Sequence, residues 1–550
     1  MQALNALTHE QRDFLLALFK DCREFYLSRA DFDHDFKIMA TASLDELYVE
    51  WKRINVSLAA GESLIPMLLP RWNVASLSTP HGVRAYRQAV GVFSRLEKGV
   101  DPSSAIADFK KRVSSTRSRL PDPYVATARN LISSWLGPVP CLMELPPRHG
   151  PGAVAEGYRP YEKVHNAVMF PQLEKYGGSD LLYLNQHHKD AEPRPIVTHK
   201  HGITRVIAVP KDFKKPRIIS AEPTTLMFLQ QGVARYMMAV LEARCPFLNF
   251  RDQSVNARLA ANYKDVATLD LSNASDTVSR RIVRQLFPKE WADLLFALRS
   301  HFSKTPDGDT IPVRAFAPMG SALCFPVESV IFAAVTVAVM NAIGGDYFAG
   351  KKRQLVRVYG DDIILPVECA RAVISVLTAC GFEPNLSKCC YNGPFRESCG
   401  AEWYMGEDVT VFRPRTLNPF DCAPPKGVRA SINAVPMVQH ASRLYQLGFA
   451  NAAQYLASTC KFPVAIGHGD SYAHPMLTWP WPGEIRWNKG LQRCEQVSTV
   501  VVQTAAPSDV GDCYAALFLG LVSSWSSRQV LTPRPKPKRK WVLAAPLADR

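Results

Sequence analysis

Residues 354–367 read "QLVRVYGDDIILPV": two apolar runs, LVRV and IILPV, meet at a glycine and two adjacent acids. Strand-like runs on either side of a tight break are the pattern of a hairpin. Gly360 supplies the backbone freedom such a turn needs, so Asp361 and Asp362 sit at the tip. Gly-Asp is common in solvated turns, and that is one reading. The other starts from the flanking runs, which are apolar enough to be buried. Two adjacent carboxylates there repel each other and shift their proton affinities unless a cation joins them, and a divalent ion is the natural one.

A magnesium site for phosphate chemistry draws carboxylates from more than one segment. The ion wants near-octahedral oxygen ligands and keeps waters or substrate phosphates in its remaining positions. Upstream, "VATLDL" at 266–271 reads as a short buried strand carrying Asp270 at its end, followed by the polar run LSNASD. Two such strands side by side would gather Asp270, Asp361 and Asp362 around two ions about 3.5 to 4 Å apart, the geometry of two-metal nucleotidyl transfer. One ion would activate an attacking 3′-hydroxyl, and both would stabilise the phosphate in flight and the departing pyrophosphate. Two Mg²⁺ ions are the expected cofactors, with Mn²⁺ as a substitute.

The bulk of the chain accommodates this. Its 550 residues, 47% hydrophobic and 21% charged, allow a large core in about two to four subdomains and exclude a disordered protein. Lys and Arg total 65 against 50 acids, and the resulting +15 favours a polyanionic partner, either nucleic acid or an acidic membrane surface. Thirteen cysteines with no C-x-x-C pair read as the reduced thiols of a cytoplasm. The N-terminus lacks a basic leader with an apolar core. The longest apolar run, VIFAAVTVAVM at 330–340, is about half of what a membrane span needs. A soluble protein is the expectation.

Along the chain, residues 1–60 read as helices, with Thr8 and Gln11 spaced as a capping box. The Pro- and Gly-rich stretch 137–160 marks a boundary or a long ordered loop. Within it RHGPG is either a phosphate-approaching turn or a plain one. "ITRVIAVPKDFKKPRIIS" at 203–220 suggests a basic hairpin broken at Pro210 and Pro216, and a long apolar helix is expected over 321–342. Past 420 the pattern is weakly helical. The end, with Arg528, Arg534, Lys536, Lys538, Arg539 and Lys540 among prolines, reads as an extended, flexible basic tail. It either adds salt-dependent RNA affinity or solubilises the chain. No internal repeat is evident.

"DLSNASD" at 270–276, "MGSALCFPVESVIF" at 319–332 and "YGDD" at 359–362 resemble, in that order, catalytic motifs A, B and C of viral RNA-directed RNA polymerases. "RDQSVNARLA" at 251–260, "GFEPNLSK" at 381–388 and "FRESCGAEWYMGEDV" at 395–409 narrow the resemblance to the replicase β subunit of leviviruses, the single-stranded RNA phages. It runs from about 203 to 415. It implies an α+β right-hand polymerase of palm, fingers and thumb, with an antiparallel palm sheet packed on helices. Residues 1–130 would be a helical region joining the fingers, 131–265 fingers with a basic motif F hairpin, and 266–410 the palm. Residues 411–525 would be thumb and C-terminal helical region, and 526–550 the flexible basic tail.

The same resemblance assigns roles. Asp270 and Asp361 would be the principal Mg²⁺ ligands, supported by Asp362 and the backbone carbonyl of Leu271. Arg205, Lys211, Lys214 and Arg217 would line the nucleotide channel, Arg217 foremost because a guanidinium grips phosphate bidentately; a solvated basic hairpin is the alternative. Glu222 would orient an arginine or be an ordinary surface acid. Asp276 would sense the ribose 2′-hydroxyl. It lies six residues after Asp270 where many viral polymerases space the pair by five, which leaves Ser275 or Asn273 to share the role. In motif B, leviviruses carry MGN where this chain has Met319-Gly320-Ser321, and Gly320 and Ser321 would approach the nucleotide. Lys388 falls where motif D supplies a general acid for pyrophosphate, or is an exposed lysine. Arg396 and Glu397 would shape the chain beneath the primer end, with Arg396 touching RNA.

The resulting expectation is an RNA-directed RNA polymerase copying a single-stranded RNA phage genome from ribonucleoside triphosphates in the cytoplasm of an infected bacterium. By resemblance its partners would be template and product RNA, host elongation factors Tu and Ts and a ribosomal protein, with no membrane. Two other readings compete. A reverse transcriptase also carries adjacent acids on a hairpin, but Gly360 and Asp276, in place of an aromatic gate, argue against it. A non-catalytic basic RNA-binding protein would make the acids dispensable turn residues.

Overall fold

The computed structural model describes residues 9–25, 29–42, 44, 78–91, 101–159, 162–164, 168–177, 197–211, 216–344, 351–386, 388–413, 440, 441 and 443–459, and the backbone of several strands between 464 and 543. Thr8, Lys214, Arg528, Arg534 and Lys536 lie outside the described residues. Internal contacts divide the chain into two units, one of residues 1–58, 63–99 and 411–550, the other of 59–62 and 100–410.

The first unit opens with helices α1 (His9–Asp21), α2 (Arg29–Thr41) and α3 (Pro80–Gly91). The second carries α4 (Ser103–Ser115) and α5 (Asp122–Leu136), the short parallel pair β1 (Val168–Met169) and β2 (Val197–Thr198), and the hairpin β3 (Ile203–Val209) and β4 (Arg217–Ala221). It continues through α6 (Thr224–Arg244), α7 (Gln253–Leu259), β5 (Val266–Leu269), α8 (Ala274–Thr277), α9 (Arg280–Leu286), α10 (Lys289–Ala297), β6 (Phe302–Lys304) and β7 (Thr310–Pro312). Its last elements are α11 (Cys324–Gly344), β8 (Arg357–Tyr359), β9 (Asp362–Pro366), α12 (Ala370–Cys380), β10 (Phe395–Ser398), β11 (Ala401–Tyr404) and β12 (Glu407–Asp408). Back in the first unit lie α13 (Ala450–Thr459), β13 (Val464–His468), β14 (Ser471–Ala473), β15 (Ile485–Asn488), β16 (Arg493–Gln503) and β17 (Lys538–Leu543). The class is α+β.

The second unit is organised by one sheet, β5-β9-β8, antiparallel throughout. All four residues of β5 and four of the five in β9 are buried. Its core is continuous with α5, α6, α11 and α12, through residues such as Trp135, Phe247, Ile331, Phe332 and Leu365. Helix α11 is apolar on every side because it is wrapped: Pro326 to Met340 are buried without a break. It is long and apolar enough to cross a membrane by length and composition, yet it serves as the central core helix of this unit.

The basic stretch folds as expected into the β3–β4 hairpin, extended by β6 and β7 into a four-stranded sheet. The region beyond 420 departs from its weakly helical pattern. Residues 464–503 supply four strands, β13 to β16, of a five-stranded sheet in which β13 and β16 run parallel. The β-branched run STVVVQ in β16 suits that pairing. Lys538 to Leu543 pair antiparallel with β16, from Lys538 opposite Val500 to Leu543 opposite Glu495. The expected flexible tail is therefore corrected for Lys538, Arg539 and Lys540, whose backbone is held in a ladder. In the same unit Asp21 at the end of α1 caps α13, accepting from the backbone N–H of Asn451 at 2.8 Å and of Ala452 at 2.9 Å. The nine cysteines described are all free thiols.

Candidate active site

The tip of the opening hairpin is a two-residue turn. Tyr359 pairs with Asp362 across β8 and β9, leaving Gly360 and Asp361 as the loop, with Gly360 at φ 62°. Two constraints fix glycine there. A Cβ would stand 2.8 Å from the Phe325 ring and 3.3 Å from Glu328 Oε1, and the φ itself disfavours any other side chain. The turn is seated on α11, where the Gly360 N–H donates to Ser329 Oγ at 3.0 Å and the Tyr359 and Phe325 rings lie 4.8 Å apart.

Asp270 reaches the same place from β5. Leu269 pairs with Ile363, so Asp270, one residue on, follows the register to the end of β9 where Asp362 begins the strand. Residues 383–386 and 388–390 then bind this corner. Asn385 N–H donates to the Asp270 carbonyl at 2.9 Å and Asn385 Nδ2 to Asp270 Oδ2 at 3.2 Å. Leu271 bridges Pro384, and Thr268 exchanges backbone hydrogen bonds with Cys390. Lys388 stands over the group, 3.7 Å from Asp270 Oδ2 and 3.8 Å from Glu397 Oε1.

Electrostatics ties these groups together. Burial pushes the Asp362 carboxyl up to about 7, and the neighbouring charges of Asp361 and Asp270 push the same way. Burial also raises Asp361 and Asp270, while Lys388 and Lys211 pull both down and Arg217 adds its pull on Asp361. Lys388 loses basicity to burial but gains more from Glu397, Asp270, Asp362 and Asp361, so its affinity for the proton rises. The cations Lys211 and Arg217 of the basic hairpin thus act on the acids directly.

A fourth carboxyl was not anticipated. Glu328, buried in α11, is raised well above the ordinary range by burial and then by Asp361 and Asp276. Its signal lay in the sequence: it is the sole charged residue of a 21-residue apolar helix. Arg112, in the last turn of α4, likewise escaped the sequence reading. Its guanidinium pairs with Asp276, Nη2 to Oδ2 at 3.2 Å. Nothing local in the sequence marks that contact.

The remaining expected residues divide. Asp276 is buried at 6% exposure on the short α8 turn, which follows Asn273 in a left-handed conformation at φ 52°. Ser275 is buried beside it. Gly320 has φ 124°, and a Cβ there would meet the Ser220 carbonyl oxygen at 2.3 Å, so motif B lies tight against β4. Ser321 is buried and its hydroxyl donates to Gln230 Oε1 at 2.9 Å, so it is engaged within the fold. Arg205 is exposed and donates to the Val154 carbonyl at 3.0 Å. Glu222 is no surface acid: it is buried, accepts a hydrogen bond from Ser300, and feels the charge of Arg299.

Arg396 requires correction. At 1% exposure it cannot touch RNA. Its guanidinium donates to the carbonyls of Val266, Gly393, Phe395 and Tyr263, fastening β10 to β5. Burying a guanidinium is tolerable only when its donors find acceptors, and backbone carbonyls supply them here.

Among the described residues, no three His, Cys, Asp or Glu side chains form a ready-made ion cage. The three aspartates nonetheless fit magnesium in donor type and charge. All are hard carboxylate oxygens, and burial and mutual repulsion have raised their proton affinities, as expected where cationic charge is wanting.

Known proteins carry the same segment. Residues 183–420 match the family model described as RNA replicase, beta-chain. The RNA-directed RNA polymerase subunit beta of Enterobacteria phage SP is 41% identical over 213 residues, covering 38% of this chain and 35% of that protein. The beta chain of Escherichia phage MS2 is 41% identical over 210 residues, 38% of this chain and 37% of that protein. The matched segment therefore spans little more than a third of these relatives' length. Among solved structures, the RNA-dependent RNA polymerase of a human picorbirnavirus aligns over 76% of this chain and 82% of its own at 11% identity and a TM-score of 0.45. Over its central segment, then, this chain is similar to the RNA-directed RNA polymerase beta chains of these phages.

Proposed function

We propose that the chain is an RNA-directed RNA polymerase, the catalytic subunit of a phage replicase, with the right-hand architecture in which β5, β9 and β8 form the palm. The observation that carries this is the meeting of Asp270 with Asp361 and Asp362 at one end of that sheet, with Lys388, Lys211 and Arg217 acting on them. A non-catalytic RNA-binding protein has no use for half-buried carboxyls that raise one another's proton affinity beside a basic hairpin.

In this reading Asp270 and Asp361, supported by Asp362, hold two magnesium ions. Bound there, the ions would lower the pKa of the primer 3′-hydroxyl and neutralise charge on the reacting phosphate. The protein's own part is to keep the acids in register through the β5–β9 ladder and the Asn385 contacts. Lys211 and Arg217 draw the triphosphate to the palm. Lys388, whose affinity for its proton is raised by Glu397, Asp270, Asp362 and Asp361 against the pull of burial, would pass that proton to departing pyrophosphate. Asp276 reads the ribose. Template and product RNA would follow the basic surface, and host elongation factors and a ribosomal protein, implied by resemblance to levivirus replicases, would join it in the cytoplasm of the infected bacterium.

The test is incorporation of labelled ribonucleotides on a single-stranded template with Mg²⁺, with and without bacterial extract. Asp361→Asn is expected to lower incorporation by about a thousandfold or more while leaving template affinity intact, as expected for loss of a ligand to catalytic metal. Intact polymerisation by that variant would return the acids to the status of turn residues.

A further inference from the structure

We propose that Arg112, from a helix outside the sequence motifs, positions Asp276 and thereby sets the preference for ribonucleotides over deoxyribonucleotides. The inference rests on the polymerase reading above, which gives Asp276 its place at the ribose.

Three observations carry it. Arg112 reaches one oxygen of Asp276 twice, Nη2 at 3.2 Å and Nε at 3.4 Å, so the pair is held through Oδ2 by two donors of a planar group. The contact is sheltered, with 19% of the Arg112 side chain and 9% of the Asp276 side chain exposed. Ion pairs at such sites are screened far less than those on the surface.

The helix that delivers Arg112 is also pinned to the segment it acts on. Thr116 Oγ1 donates to the Thr277 carbonyl at 2.9 Å, and Val113 O accepts from the N–H groups of Arg314 at 2.7 Å and Ala315 at 3.1 Å. Two residues past Thr116, Ser118 and Ser279 exchange hydrogen bonds at 2.8 and 2.6 Å. Arg112 is thereby fixed relative to the α8 turn.

The pair also stands close to a second sheltered carboxyl. Asp276 acts electrostatically on buried Glu328, which lies beside the Gly360 turn. Arg112 places a cation against the carboxyl of Asp276 and fixes which way its Oδ2 is turned. An acid that must accept a 2′-hydroxyl hydrogen bond in one orientation needs such a clamp. Ser321, whose hydroxyl is given to Gln230, cannot supply it.

The experiment measures single-nucleotide incorporation of GTP and dGTP opposite template C by the full chain, comparing wild type with Arg112→Gln and Arg112→Lys. For Arg112→Gln the ribo-over-deoxy ratio of kcat/KM is expected to fall about tenfold, chiefly through a higher KM for GTP, as for loss of one charge-assisted contact. Arg112→Lys is expected to recover part of the ratio, because it restores charge without the fork. Template affinity, measured in parallel, reports folding. Should Arg112→Gln make no product, the ratio of GTP to dGTP affinity of the template-bound protein is measured instead and is expected to fall in the same direction. An unchanged ratio, whatever the rate, overturns the inference and leaves the polymerase reading standing. A wild-type chain that incorporates nothing, even with bacterial extract, removes both.

Discussion

The second unit buries charge in two ways. Arg396 and Arg299 are each 1% exposed, and both end on backbone carbonyls: Arg396 on four, Arg299 on those of Val313, Ala315 and Phe316 at 2.8 to 2.9 Å. At the end of the β5-β9-β8 sheet the half-buried carboxylates Asp270, Asp361 and Asp362 are of one sign and raise one another's proton affinity. Asp362 is pushed up to about 7 by burial, Asp361 and Asp270, while Lys388 and the hairpin cations only partly offset the rise in Asp361 and Asp270. A buried charge whose partners belong to the fold is scaffold. A group of like charges that the fold leaves under-compensated calls for a partner from outside, and that marks a site.

The contrast breaks most readily at Arg396. If it is scaffold, Arg396→Met should destabilise the protein by about 4 kcal/mol, because four carbonyls lose their donor in a buried place. Arg396→Lys should recover only part of this, since one ammonium cannot serve carbonyls spread around a planar fork. Thermal or urea unfolding reads both. A variant with wild-type stability and weakened RNA affinity would reverse the assignment and restore Arg396 to an RNA contact.

The same contrast accounts for what the sequence made legible. The hairpin and its acids were readable because strand alternation, a glycine and two aspartates are local, and Asp270 because it too ends an apolar strand. The role of Arg396 was not, since FRES looks alike whether its arginine turns to solvent or to the carbonyls of Tyr263 and Val266. Arg112 lies far from Asp276 along the chain, and only the packing of α4 on α8 joins them. Glu328 could have been flagged as the lone acid in an apolar helix. The C-terminal sheet was missed because β13 and β16 pair in parallel across a long connection, a register that no short pattern announces.

A second break tests a scaffold acid against the site acids by pH. Glu222, 2% exposed, is pushed up to about 7 by burial, against the downward pull of its hydrogen bonds from Ser300 and Gln230 and of Arg299. The ordinary value for a glutamate is 4.5, so the native state holds the proton more tightly than the unfolded chain does. Its contribution is complete below about 4.5 and is lost as pH rises through about 7, in total on the order of 3 kcal/mol. Glu222→Gln, which cannot ionise, should flatten this part of the stability-against-pH curve, with urea midpoints between pH 5 and 8 as the readout. An unchanged slope would mean that Glu222 stays ionised in the fold.

Asp362 is likewise pushed up to about 7 by burial and so contributes the same sign of pH dependence, which leaves the two acids to be told apart by magnesium. The Glu222 carboxyl is taken up by Ser300 and offers an ion no site, so its share of the slope should persist with or without Mg²⁺. The aspartate share should not. As pH rises, Asp362, Asp361 and Asp270 lose protons that an ion can replace, so Mg²⁺ should stabilise the protein more at pH 8 than at pH 5.5. At an Mg²⁺ concentration about five times its dissociation constant the gain is about 1 kcal/mol, small but resolvable as a shift in unfolding temperature against a chelator control. Asp361→Asn should abolish this increment and Glu222→Gln should leave it whole. If Mg²⁺ stabilises the Asp361→Asn variant as much as wild type, its binding lies elsewhere, and the distinction between under-compensated acids and scaffold charges loses its physical basis.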